Sequence, residues 1–155
     1  MTELNGIGAS KFVVFSIAEQ RYALPLETVE TVVRMVEITE LPGAPEFIRG
    51  VINFHGDVIP VLDLRKKFSL GELPIKINDQ LVIINFKNKH YSVIADVVNE
   101  VLECTEEDID LMTDIVPDMP FLNGVVKLSE GIILLNNPDT LFNMVDVEQG
   151  KVAYD

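Results

Sequence analysis

The stretch that decides the fold is IRGVINFHGDVIPVLDL, residues 48–64. Two runs rich in β-branched residues flank His55-Gly56-Asp57, and such residues suit the pleated, half-buried surface of a sheet. A glycine between two such runs supplies the positive φ that a tight connection needs. The pattern predicts a β-hairpin whose strands pack in a core. Its tip, which carries His55 and Asp57, is expected to face solvent or a partner.

This hairpin recurs later in the chain, and so does the sequence that precedes it. Gly50-Val51-Ile52 corresponds to Gly124-Val125-Val126. Upstream, residues 12–33 align without gaps with residues 81–102 at an offset of 69, and the apolar positions match nearly throughout. Repetition at this length indicates two copies of one small β unit. Each copy reads as strand, turn, strand, short helix, strand and a second hairpin.

The size of the repeat predicts how the strands are arranged. A five-stranded unit is too small for a broad sheet with protected edges, whereas closure into a barrel removes the exposed edges. We therefore predict a mainly β fold of two packed five-stranded barrels with a few short helices. We expect a flexible N-terminal arm over residues 1–10, one domain over 11–144 and a C-terminal tail over 145–155. The subdomains are expected at about 12–78 and 79–144, and an exchange of strands between them is left open.

The composition argues against several partners. The net charge is −13, with 25 acidic and 12 basic residues, so the surface repels phosphate backbones and anionic lipid. The one basic cluster, Arg65-Lys66-Lys67, is interpreted as a solvated helix or loop face. No apolar run approaches the roughly 18 residues of a membrane span, and the N-terminus lacks a signal-peptide pattern. We predict a soluble, cytoplasmic protein that binds no nucleic acid and does not insert into a membrane.

The residues that could carry chemistry are few. There are two histidines, His55 and His90, and one cysteine, Cys104, which we interpret as a buried, inert thiol. No nucleophile elbow, phosphate-binding loop or paired metal-ligand motif is present. The acidic stretch 105–110 lacks the central glycine and the ligand spacing of a calcium loop. We predict no enzyme activity, no metal and no cofactor, which leaves protein–protein recognition.

Five strings, in order, resemble those of CheW-like domains, the coupling proteins of bacterial chemotaxis. They cover roughly residues 11–143 and read FVVFSIAEQRYALPLETVETVVR, LPGAPEFI, RGVINFHGDVIPVLDLRKKF, YSVIADVVNEVLE and FLNGVVKLSEGIILLNN. The resemblance implies two five-stranded, SH3-like barrels around a continuous core. It also implies rings that assemble through hydrophobic contacts at the barrel ends.

The same resemblance implies an adaptor function. Such a protein couples the cytoplasmic tips of methyl-accepting chemoreceptors to the regulatory domain of a CheA-type histidine kinase, and that domain is itself CheW-like. One alternative is a CheW-like scaffold in another sensory pathway, such as surface motility or development. Another is a small β-barrel enzyme or ligand-binding domain, which requires a deep polar pocket with a pKa-perturbed residue.

Similarity to the family also implies where a receptor binds. The expected site is a groove between the two barrels, with Val29 and Val101 as its apolar lining from equivalent places in the two halves. Gly50 and Gly124 are expected at positions tied to receptor binding, where they allow close backbone approach.

Two further groove positions depart from the family pattern. His55 stands where many members have arginine, and Thr31 stands where many have glutamate. Histidine lacks the forked, permanent charge of arginine. The resemblance therefore implies that an Arg–Glu pair used by relatives is lost or rewired here.

Overall fold

The computed structural model describes residues 10–70 and 74–142, and most of them lie in strands. The strands are β1 (Ser10–Ile17), β2 (Gln20–Pro25), β3 (Val29–Arg34), β4 (Ile48–Phe54), β5 (Asp57–Leu62), β6 (Gln80–Phe86), β7 (Lys89–Ala95), β8 (Val97–Cys104), β9 (Ile109–Leu111), β10 (Leu122–Leu128) and β11 (Gly131–Asn136). The helical elements are short: α1 (Leu64–Lys67), α2 (Met112–Ile115), the 3-10 turns Leu26–Thr28 and Glu106–Asp108, and a turn over residues 138–142.

The strands form two sheets. Barrel A is a six-stranded sheet in the order β8-β1-β2-β11-β10-β9, and barrel B is a five-stranded sheet in the order β3-β6-β7-β5-β4. In barrel B, Thr39 exchanges two backbone hydrogen bonds with Val51 of β4, at 2.9 and 2.8 Å. In barrel A, β9 pairs with β10 in the corresponding place, Asp110 opposite Val125. The predicted mainly β fold with two small sheets and few helices is confirmed.

Each sheet takes strands from both halves of the sequence. β1 and β2 join β8–β11 in barrel A, whereas β6 and β7 join β3–β5 in barrel B. The boundary between subdomains that the sequence predicted, at residues 78 and 79, therefore separates strands that belong to the same barrel. The connections explain the exchange: Asp96 alone joins β7 to β8, and an antiparallel hairpin needs about two linking residues. Since β8 cannot fold back on β7, it passes to β1.

The two halves repeat in detail. Gly50 lies opposite Val61 and Gly124 opposite Leu135, and each hairpin has its register shift at that same point. The repeat continues into the helical turns that follow the hairpins. Asp63 donates its backbone N–H to Phe47 O at 2.7 Å, and Asn137 donates to Phe121 O at 2.6 Å.

Three apolar clusters hold the fold together. One fills barrel A and one fills barrel B, and a third lies between the barrels. Both faces of β1 and β6 are consequently buried at their centres, which explains the continuous apolar runs over residues 12–15 and 81–84. The shared cluster joins residues of both barrels and of the last helical turn: Phe15, Ile17, Tyr22, Leu24, Leu62, Leu64, Val82, Ile84, Tyr91, Val93, Ala95, Leu141 and Phe142.

The basic cluster is not the solvated face that we expected, because Arg65 is only 2% exposed. Its Nη2 contacts Asp79 at 3.3 Å and also Asp96. Asp96 in turn accepts a hydrogen bond from the Ala18 backbone N–H at 2.8 Å, in the turn between β1 and β2. A buried guanidinium needs paired carboxylates, and here they tie barrel B to barrel A. Both carboxylates are distant in sequence, so the local pattern could not reveal them.

Candidate functional site

The six residues expected at a receptor-binding groove are divided between the barrels. Four lie in barrel B: Val29 and Thr31 on β3, Gly50 on β4 and His55 in the turn after it. The other two, Val101 on β8 and Gly124 on β10, lie in barrel A.

The expected equivalence of Val29 and Val101 is wrong. Val29 lies opposite Ile84, and its counterpart Val98 lies opposite Phe15. Both valines are half-buried against the shared core. Val101 instead corresponds to Val32, and 56% of its side chain is exposed. A strand bulge precedes both positions, between Val29 and Thr31 in β3 and between Val98 and Glu100 in β8. Val101 is exposed after its bulge, whereas Val32 is half-buried.

The two glycines serve barrel closure. A Cβ on Gly50 would lie 2.1 Å from Thr39 O, and one on Gly124 would lie 2.6 Å from Asp110 O. Both glycines are buried, so the close backbone approach that we expected occurs inside each barrel.

The polar residues near β3 include one side-chain pair that the sequence did not predict. Glu30 precedes Thr31 on β3, and its Oε1 lies 2.8 Å from His90 Nε2 on β7. His55 is exposed with φ at 52°, and its ring meets Phe54 edge-on at 4.3 Å between centroids. Thr31 is also exposed.

Exposed apolar side chains mark two kinds of surface. On β8, Val97 is 44% exposed and accompanies Val101. At the hairpin tips, Val58 of barrel B and Ile132 of barrel A are 70% and 51% exposed. The last two occupy equivalent places, one residue before the buried Ile59 and Ile133. In the sequence, Val58-Ile59 and Ile132-Ile133 form matching apolar pairs in the two hairpins. These pairs do not show which residue of each pair faces outward.

Comparison with known proteins identifies the family. The model of the CheW-like domain matches residues 11–146. The chain belongs to the CheW-like domain family. A chemotaxis protein CheW of Treponema pallidum is 22% identical over 145 residues, which cover 90% of this chain and 85% of that protein. Protein FrzA of Myxococcus xanthus is 36% identical over 88 residues, covering 57% of this chain and 55% of that protein.

A solved structure agrees with this assignment. The crystal structure of the scaffolding protein TtCheW from Thermoanaerobacter tengcongensis matches with a TM-score of 0.75 and 35% identity. The match covers 83% of this chain and 88% of that one. The fold of this chain is therefore shared with a scaffolding protein, in agreement with the match to the family model.

The titratable side chains of this CheW-like chain are the groups that could hold a metal ion or act as a nucleophile. Within residues 10–70 and 74–142, no group of three or more His, Cys, Asp or Glu side chains could hold a metal ion. Over the same residues, no helix is long and apolar enough to cross a membrane. Burial, together with the nearby Asp108 carboxylate, raises the pKa of Cys104 to about 11. A thiol with such a pKa is a poor nucleophile at neutral pH.

We expect Cys104 to react slowly with thiol reagents in the native protein. Its side chain is 3% exposed, and with a pKa of about 11 only about 0.1% is thiolate at pH 8. The disulfide-exchange rate with a chromogenic reagent should be at least about a hundredfold lower than in urea, where the thiol regains its ordinary pKa. Equal rates in both conditions would contradict the buried position.

Proposed function

We propose that this protein is a cytoplasmic adaptor that couples chemoreceptor tips to the regulatory domain of a CheA-type histidine kinase without catalysing a reaction. The observation that carries the proposal is the placement of exposed apolar side chains on separate faces of one shared core. Val101 lies on β8, whereas Val58 and Ile132 lie at hairpin tips. Exposed apolar surface of this kind is typical of docking sites.

The two kinds of surface suit two partners. The β8 face around Val101 is proposed for the receptor tip, and the hairpin tips with Val58 and Ile132 are proposed for the CheW-like regulatory domain of the kinase. The shared core fixes one face relative to the other, so binding on both sides holds receptor and kinase at a defined geometry. A signal then passes through contacts and population shift, since the protein needs no group that carries a phosphoryl.

A second candidate function is a scaffold in a sensory pathway other than flagellar chemotaxis. The similarity to protein FrzA, which is not named as a chemotaxis CheW, favours keeping this candidate. Both candidates use the same adaptor mechanism and differ in the receptor and kinase that are joined.

The test of the adaptor function is reconstitution. The kinase, a receptor cytoplasmic fragment and this protein are combined, and the autophosphorylation rate of the kinase is measured with and without the protein. We expect the rate to respond to receptor only when the protein is present. Calorimetry that detects no binding to the kinase regulatory domain at protein concentrations on the order of 10–100 µM would overturn the proposal.

We expect Val101→Asp to weaken receptor binding about tenfold or more and to leave the fold intact. An aspartate in an apolar contact loses the buried area and places a charge in the interface. Because 56% of Val101 is exposed, the free energy of unfolding should change by less than about 1 kcal/mol. Calorimetry with the receptor fragment and urea denaturation measure the two quantities.

Ile132→Asp is the matched control, because Ile132 is similarly exposed at 51% but lies at a hairpin tip. It should spare the receptor and weaken kinase binding, whereas Val101→Asp should do the reverse. Unfolding of the Val101→Asp protein would assign Val101 to the core. Equal losses toward both partners would remove the division into two faces.

A further inference from the structure

A short stretch of chain leads into the first strand of each sequence half. Residues 74–79 lead into β6, and Ile75 packs against the apolar cluster that fills barrel B. Strand β1 is the counterpart of β6 and belongs to barrel A. The stretch that leads into β1, residues 4–9, lies outside the described part of the chain, and we call it the lead segment. Its place in the repeat is equivalent to that of a stretch that helps to fill barrel B.

The sequence repeat extends into the lead segment. The offset of 69 between the two halves also places Leu4 opposite Leu73. Ile7 lies within one residue of the position equivalent to Ile75. Each half of the sequence therefore carries an isoleucine shortly before its first strand.

The two barrels differ in how their apolar clusters are completed. In barrel B, Met35 and Phe54 pack against the cluster together with Ile75. The counterparts of Met35 and Phe54 in barrel A are the smaller Cys104 and Leu128. A cavity of about 440 Å³ lies at these smaller side chains, and we call it the barrel A cup. Its floor is apolar and is formed by Leu102, Cys104, Val126 and Leu128.

The lead segment joins the described chain beside the cup. Ser10, the first described residue, pairs with Cys104 across β1 and β8. Paired residues of antiparallel strands have their Cα atoms about 4.5–5.5 Å apart. Ile7 precedes Ser10 by three residues, which span at most about 10 Å. The segment is therefore long enough to bring Ile7 over the cup while both barrels keep their structure.

We propose that Ile7 occupies the barrel A cup and completes barrel A as Ile75 completes barrel B. The isoleucine side chain would contact Val126 and Leu128 and cover the Cys104 thiol. Burial of its apolar surface stabilises the contact, and the short link to Ser10 keeps Ile7 at a high effective concentration. The contact is autoinhibitory, because another protein can bind at this end of barrel A only after Ile7 has left the cup.

Charge favours the lead segment over other occupants from the same protein. The rim of the cup carries four carboxylates and one ammonium group, from Glu103, Glu107, Asp108, Asp110 and Lys127. The lead segment has no charged side chain, so it brings no like charge to this rim. Residues 143–155 contain three acids and one lysine, and a second copy of the chain has a net charge of −13. Both of these would be repelled by the rim.

The contact is tested in the full chain with ¹³C-labelled methyl groups. We expect nuclear Overhauser effects between the δ1-methyl group of Ile7 and the methyl groups of Val126 and Leu128. Their absence would overturn the proposal. Sedimentation that shows a dimer dissociated by Ile7→Ser would also overturn it, because Ile7 would then fill the cup of a second copy.

A matched pair of variants tests whether Ile7 covers the cup. Ile7→Ser removes most of the apolar side chain and keeps the charge. The disulfide-exchange rate of Cys104 should rise about tenfold, because the burial that holds the segment over the thiol is lost. The control is Ile77→Ser, since Ile77 is 89% exposed before β6, and it should change the rate less than about twofold. Equal rates in the two variants would contradict the contact.

A third variant fills the cup from within. Leu128→Phe places the side chain of Phe54 at the equivalent position of barrel A. It should displace Ile7, so the methyl contact between Ile7 and Val126 should disappear. Persistence of that contact would show that Ile7 binds elsewhere. If Leu128→Phe does not fold, the comparison of Ile7→Ser with Ile77→Ser decides the question.

The autoinhibitory role rests on the proposed binding of the kinase regulatory domain near Ile132, and calorimetry tests it separately. We expect Ile7→Ser to bind that domain about tenfold more tightly than the unchanged chain, because the competent state no longer competes with a closed one. Ile77→Ser should bind as the unchanged chain does. Equal affinities for all three proteins would overturn the autoinhibitory role. Binding by none of them would overturn the proposed adaptor function, whereas the methyl contacts of Ile7 decide the occupancy of the cup by themselves.

Discussion

Replacing Gly50 with alanine is expected to lower the free energy of unfolding by about 3 kcal/mol or more. The new Cβ would lie 2.1 Å from Thr39 O and 2.9 Å from the Ile38 Cγ2. The first contact is with backbone, so it is relieved only if the segment around Thr39, which bridges to Val51, moves away. Overpacking of this kind usually costs about 1–3 kcal/mol, and the φ of +149° adds to it. Urea denaturation measures the change.

Two other glycines separate the causes. Gly56→Ala has φ at +90° but nothing within 4 Å of the new Cβ, so it should cost only the backbone strain of about 1–2 kcal/mol. Gly124→Ala should cost about 2 kcal/mol, because its Cβ meets Asp110 O at 2.6 Å without a positive φ. If Gly50→Ala were no worse than Gly56→Ala, the closure by Thr39 would contribute nothing to stability.

The internal repeat explains why the fold class was predictable. The apolar patterns of residues 12–33 and 81–102 match, which predicts two similar units. Strands β1 and β6 do occupy equivalent places in the two barrels. The pattern does not show which barrel each hairpin joins, because the β1–β2 and β6–β7 hairpins present similar apolar side chains. That choice is made by the single-residue link at Asp96 between β7 and β8. Asp96 stands among valine, isoleucine and alanine residues without a glycine or proline beside it, so the sequence does not show that one strand ends and the next begins there.

The candidate site was less predictable, for reasons of register and distance. A bulge in β8 turns Val101 outward and leaves Val98 against the core, although both are valines in one strand. Arg65 is buried by Asp79 and Asp96, which lie 14 and 31 residues away.

Phe142→Ala is expected to cost about 3–5 kcal/mol of unfolding free energy, the range for a fully buried phenylalanine. The side chain is completely buried between the barrels, and its ring stacks on Tyr91 at 4.8 Å and lies 5.9 Å from Phe86. Truncation leaves a cavity in the cluster that both barrels share. Because that cluster couples the barrels, the variant should still unfold in one transition at a lower urea concentration, followed by circular dichroism.

Phe68→Ala tests whether the stability lost in Phe142→Ala arises because Phe142 lies in the core that both barrels share. Phe68 is the counterpart of Phe142 in the other half, and it stacks on Tyr22 at 5.2 Å as Phe142 does on Tyr91. It is only half-buried, however, and borders a cavity of about 320 Å³. Its removal should therefore cost about 1–2 kcal/mol. Equal costs for the two variants would show that the last helical turn does not hold the barrels together, and two separate transitions for Phe142→Ala would show that the barrels are only weakly coupled.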